Sequence, residues 1–135
     1  MILENCIPAD KHDTDAVDRA AAAGFPAVNA ILPDLLEWVM DPNWPVAMDL
    51  YPLLAQAGPE IVPAIRHAFE DKDAGWHWAL LCFLVPHLRE PAWKMLRPDV
   101  VKIATSPTQG QREEEADQAA REVLADRGGD EGDGG

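Results

Sequence analysis

The sequence predicts an all-α fold, a short array of about three stacked helical hairpins. Three observations carry this. Leu32, Leu35, Leu36, Val39 and Met40 recur at helical spacing, and Val46, Leu50, Leu53, Leu54 and Ala57 do so again beyond a short corner. The corner, Asp41-Pro42-Asn43-Trp44-Pro45, has the chemistry of a tight connection. Pro42 disfavours helix at Asp41, and Pro45 suits the first turn of the next helix, where its missing N–H is no loss. Helices joined so closely lie antiparallel. Finally, Asp41-Pro42-Asn43-Trp44 is echoed by Asp73-Ala74-Gly75-Trp76, and Ser106-Pro107-Thr108-Gln109-Gly110 occupies a third such turn without a tryptophan.

Along the chain, Met1–Lys11 reads as an extended lead-in. Asp13 or Thr14 caps a first helix whose face is Ala16, Val17, Ala20, Ala21 and Ala23, and Gly24 stops it. Phe25-Pro26 starts a segment that Pro33 breaks or restarts, ending at Met40. Pro45–Ala57 follows, with Pro52 expected to bend it. Gly58-Pro59 stops and restarts the chain into a helix faced by Ile61, Ile65 and Phe69. Trp76–Val85 is apolar nearly all round, which predicts a central helix covered on more than one side. Glu90-Pro91 opens a short helix through Leu96, and Arg97-Pro98 restarts the chain into Asp99–Thr105. Gln111–Ala125 is the last helix, with Ala116, Ala119, Ala120, Val123 and Leu124 inward and Glu113, Glu114 and Glu115 in its first turns. One domain is expected over residues 1–126, and a disordered, acidic, Gly-rich tail over 127–135.

These segments resemble HEAT-like repeat proteins and, more closely, a small bacterial family of unknown function, domain-of-unknown-function family 5071. The resemblance runs through Ile7-Pro8, Asp13-Thr14-Asp15, Gly24-Phe25-Pro26-Ala27 and Ile31-Leu32-Pro33 to Ala47. It continues in Trp76-His77-Trp78 and Pro107-Thr108-Gln109-Gly110 with Glu113–Asp117. It implies a short right-handed HEAT-like superhelix and no established activity. Ala47 stands where a HEAT unit usually carries a basic residue, so the usual Asp–Arg tie across the corner is not expected.

The formal net charge is −13 and the pI about 4.4. Such a chain repels phosphate backbones and anionic membranes, and attracts basic proteins. No nucleic-acid or membrane partner is expected, and the oligomeric state is left open. Cys6 and Cys82 form no Cys-x-x-Cys, and there is no basic, then apolar, leader. A reducing cytoplasm is the default compartment.

His67, His77 and His87 recur every ten residues, which is not a ligand spacing on one helix, so no metal is expected. Asp41, Asp71 and Asp73 are explained by their turns without acid–base catalysis. No cofactor signature is present, and the chain is expected not to be an enzyme. The corner residues Asp41, Asn43, Trp44, Asp73, Trp76 and His77 are the candidate partner-binding set. The leading expectation is a protein-interaction module with an acidic face, in its most concrete version an immunity-type inhibitor of a basic toxin. The alternatives are a small-molecule or peptide-binding domain with a Trp-lined pocket near Trp76, His77 and Trp78, and a structural subunit of a larger assembly.

Overall fold

The computed structural model describes residues 3–127. Among them are eight α-helices and no strand. The helices are α1 (Thr14–Ala23), α2 (Leu32–Glu37), α3 (Pro45–Leu54), α4 (Val62–Glu70), α5 (Ala74–Phe83), α6 (Glu90–Thr105), α7 (Gln109–Glu113) and α8 (Ala116–Arg127). A short 3-10 turn at Leu3–Cys6 precedes α1, and others at Ala27–Ile31, Pro59–Ile61 and Val85–His87 lie between helices. The lead-in therefore carries a helical turn rather than being extended throughout.

One continuous core runs through the array, from Val17, Leu36 and Leu50 to Leu80, Trp93 and Val123. α1 packs on α3, α2 on α4, α4 on α6, and α8 on both α5 and α6. Of the expected α1 face, Ala16, Val17 and Ala20 are buried, whereas Ala21 is exposed and Ala23 half-buried; on α8, Ala116, Ala119 and Ala120 are buried.

The helix starts follow from local chemistry. The Asp13 carboxylate accepts from the Ala16 N–H, and the Asp73 carboxylate accepts from the Trp76 N–H. Thr108 and Gln111 make a reciprocal capping box at α7. Gly24 stops α1 at φ +65°, a conformation open to glycine.

Four expected boundaries move. The segment before the first corner is a 3-10 turn followed by α2, and the helix ends at Glu37 rather than Met40. Residues 90–105 form one helix across Pro98 instead of two. The carbonyl that Pro98 deprives of a partner belongs to Lys94, an exposed residue, and the adjacent Met95 carbonyl accepts from Arg66 Nη2 at 2.8 Å. Conversely, the expected last helix is broken at Glu114–Glu115, where Glu115 takes φ +64° and turns the chain from α7 into α8. Arg127, assigned to the tail by composition, ends α8. Its guanidinium bonds the Val85 carbonyl and Glu90 and lies 4.9 Å over the Trp93 ring. Residues 128–135 of the expected disordered tail lie outside the described residues.

Candidate functional site

The corners are built on Asx turns, and these set the true period. The Asp41 carboxylate accepts from the Asn43 N–H at 2.8 Å, and Asp71 accepts from the Asp73 N–H at 2.9 Å. Asp10 does the same with the His12 N–H at 2.8 Å, just ahead of α1. The structural echo of Asp41 is thus Asp71, thirty residues on, and its precursor is Asp10. The match of Trp44 with Trp76 is overturned. Trp44 precedes α3 as its N-cap residue, whereas Trp76 is the third residue of α5. The first turn also touches the second, because the Val46 N–H donates to the Lys11 carbonyl at 3.2 Å.

A groove of about 730 Å³ opens beside these corners. Asp41, Asn43, Trp44 and Asp73 all line it, together with Met40, Met48, Gly75, Trp78 and Phe83. Four of the six candidate residues are therefore brought together. It continues into a second, more apolar depression of about 430 Å³, lined by Met48, Tyr51, Pro52, Ala55, Phe83 and His87. Met48 and Phe83 belong to both.

Trp76 and His77 turn the other way. On α5 the residues Trp76, His77, Leu80 and Leu81 are buried, while Gly75, Trp78, Cys82 and Phe83 are only half-buried. So α5 is not covered all round, and its uncovered face forms one wall of the groove. Trp76 Nε1 donates to the Leu36 carbonyl at 3.1 Å, tying α5 to the end of α2. Trp78, which spacing alone did not place in the binding set, takes the position expected of Trp76. It is three residues from Gly75, on the same helix face.

The groove has defined walls. Trp38 and Trp44 pack across the corner with ring centroids 5.8 Å apart. Tyr51 stacks on Phe83 at 5.4 Å, and Phe83 meets Trp78 edge-on at 5.9 Å. Tyr51 Oη donates to the Val39 carbonyl at 2.8 Å. Burial, and then the Asp41 charge, hold its phenol well above the ordinary range, so it stays neutral. Ala47 is fully buried, and Asp41 is used by its own turn rather than by a basic residue across the corner.

His77 lines a separate cleft of about 570 Å³ between α4, α6 and α7. Its ring is 3% exposed and meets Phe69 edge-on at 5.8 Å. Gln111 Nε2 lies 3.2 Å from His77 Nδ1, and Gln111 Oε1 is held by the Thr108 N–H. The Gln111 amide therefore presents its N–H to Nδ1, which must accept, and the ring proton sits on Nε2. Nε2 makes no well-formed hydrogen bond. Burial pushes the His77 pKa down, against the opposing pull of the Asp71 and Ala68 carbonyls and the Asp71 and Asp73 charges. A buried, neutral histidine in the first turns of α5, packed against Phe69 of α4, is accounted for as packing. Among the described residues, no three His, Cys, Asp or Glu side chains are placed to hold a metal ion. No described helix is long and apolar enough to cross a membrane.

Residues 6–124 match the domain of unknown function DUF5071. The chain belongs to this family. The DUF5071 match runs from the first helical turn to near the end of α8, and so contains both the groove and the His77 cleft. No curated protein matches the chain significantly.

Proposed function

We propose that this DUF5071 protein is a non-enzymatic interaction module, a short right-handed HEAT-like stack that engages a basic protein through its acidic corner edge and the adjoining groove. The groove carries the proposal. It gathers Asp41, Asn43, Trp44 and Asp73 at one end of an apolar surface, within a chain of net charge −13. Aromatic and methionine side chains beside acids suit a partner that brings apolar anchors and positive charge. The HEAT-like reading is supported by the recurring Asx turns ahead of α1, α3 and α5, and by the packing of α2 on α4 and α4 on α6. Neutralising a basic toxin by covering it is the most concrete version. Service as a subunit of a larger assembly would use the same edge.

Capture from native lysate at low and high salt tests this. A basic protein should be retained at low salt, released at high salt, and lost from the Asp41→Asn/Asp73→Asn double variant. Retention by the double variant equal to wild type would refute the acidic-edge reading.

A second reading, a small-molecule or peptide pocket, rests on the His77 cleft. It combines an apolar floor of Phe69 and Ile103 with the buried pair His77 and Gln111. Trp76 and Trp78 do not line this cleft; of the residues expected at a Trp-lined pocket it holds His77, while Trp78 lines the groove instead. A ligand that raises the melting temperature of wild type, but not of a Gln111→Leu variant, would favour this reading.

A further inference from the structure

We infer that the groove between α3 and α5 is a receptor for one amphipathic α-helix of about three turns, with basic residues at the end that meets Asp41 and Asp73. The inference rests on the interaction-module reading and names the partner's form.

Four features lead there. The first is length. From the N-cap to the C-cap of α3, Trp44, Met48, Tyr51, Pro52 and Ala55 line the groove and the depression it continues into, at spacings i, i+4, i+7, i+8 and i+11 of one helix face. At a rise of about 1.5 Å per residue this face extends about 16 Å, the length of a three-turn helix. The second is the gap itself. α1 packs on α3, and α8 packs on α5, but α3 and α5 are not a closely packed pair. They meet through the Tyr51–Phe83 stack, which lines the adjoining depression. The third is lining chemistry. Met40, Trp44, Met48, Trp78 and Phe83 supply apolar and polarisable surface, and Met48 is 53% exposed on a helix whose other apolar residues are largely buried. Helix-in-groove recognition uses such surfaces, reading anchors at i, i+4 and i+7. The fourth is charge placement. Asp41 and Asp73 lie at one end, and no acidic residue among the described ones lines the far depression, where His87 sits.

Other occupants fit poorly. A second copy would bring the same charge of −13 to an acidic rim. Residues 128–135 are Gly, Asp and Glu throughout, with no side chain to fill an apolar groove. Anionic lipid and nucleic acid meet the same repulsion.

The test selects binders from a random displayed library of peptides about sixteen residues long, using the intact protein as bait. The expected winners carry apolar residues at i, i+4 and i+7 with Lys or Arg clustered at one end, and become helical on binding by circular dichroism. Met48→Ala should weaken them by about tenfold without changing the fold, since Met48 is exposed and alanine favours helix. Asp41→Asn should weaken them too, and high salt should do the same. Winners without helical period, winners indifferent to Met48, or no winners at all would overturn the helix inference. If the lysate partner is still captured and depends on Asp41 and Asp73, the module reading survives alone. If neither peptide nor partner binds, both fall.

Discussion

Asp73 does two jobs that can be separated. Its carboxylate caps α5 through the Trp76 N–H, and its charge lies on the groove rim. Asparagine caps a helix about as well as aspartate, whereas alanine does not. Asp73→Asn should therefore leave the urea midpoint nearly unchanged and weaken a basic partner, while Asp73→Ala should cost about 1 kcal/mol of stability. Equal destabilisation by both, measured in parallel urea titrations, would mean that the charge itself holds the corner. His77 gives a pH prediction with a definite sign. Its folded pKa lies below the 6.5 of a free imidazole, so below that pH the unfolded chain binds the proton first. The contribution is complete above 6.5 and is lost as pH falls through that value toward the folded pKa. The urea midpoint should drop between about pH 7.5 and about pH 5.5, and should drop less in His77→Gln, which cannot titrate. Identical pH slopes for the two proteins would show that His77 is not the titrating group.

At the scale of elements, side-chain period and cap chemistry made most helices legible, and backbone exceptions made the rest illegible. Asp13, Gly24 and Asp73 each did what their type predicts at a helix end. Pro98 did not end its helix: Lys94, whose carbonyl it orphans, is an exposed residue, and Arg66, twenty-nine residues away in sequence, bonds the neighbouring Met95 carbonyl. The break at Glu115 was invisible because glutamate favours helix and Ala116–Leu124 keeps the period. The corner was read at the right place but in the wrong register. Tryptophan is conspicuous in a sequence, whereas an Asx turn is declared only by an aspartate two residues before its donor. The groove was half legible for the same reason, since turning α5 by that register exchanges Trp76 for Trp78. Glu115 also yields a prediction. A non-glycine residue at φ +64° costs roughly 1–2 kcal/mol in local strain, and glycine relieves it while adding freedom to the unfolded chain. Glu115→Gly should stabilise the protein by about 0.5–1 kcal/mol, read as a higher melting temperature. A lower melting temperature would mean that the Glu115 side chain, ahead of α8, contributes more through the helix dipole than the strain removes.

Charge acts on the molecule as a whole, and it acts on folding and on binding with opposite signs. Twenty-four acidic residues face eleven basic ones, so the compact state gathers like charges that the unfolded chain spreads out. The ion pairs that offset this are solvent-exposed on at least one side, as at Arg66–Asp99 and Arg127–Glu90, and contribute little each. Screening the chain should therefore stabilise the free protein. Raising sodium chloride from about 0.02 M to about 0.5 M shortens the Debye length from roughly 20 Å to under 5 Å, which removes repulsion between corners before it touches contacts within them. The melting temperature should rise over that range. The same change should weaken a basic partner, chiefly by slowing association. Differential scanning fluorimetry and stopped-flow binding on one protein preparation would read both. A melting temperature that falls with salt would show that local attraction, rather than net repulsion, dominates the electrostatics of the fold. The acidic surface would then be a stabilising feature in its own right, and its excess charge would no longer need a partner to account for it.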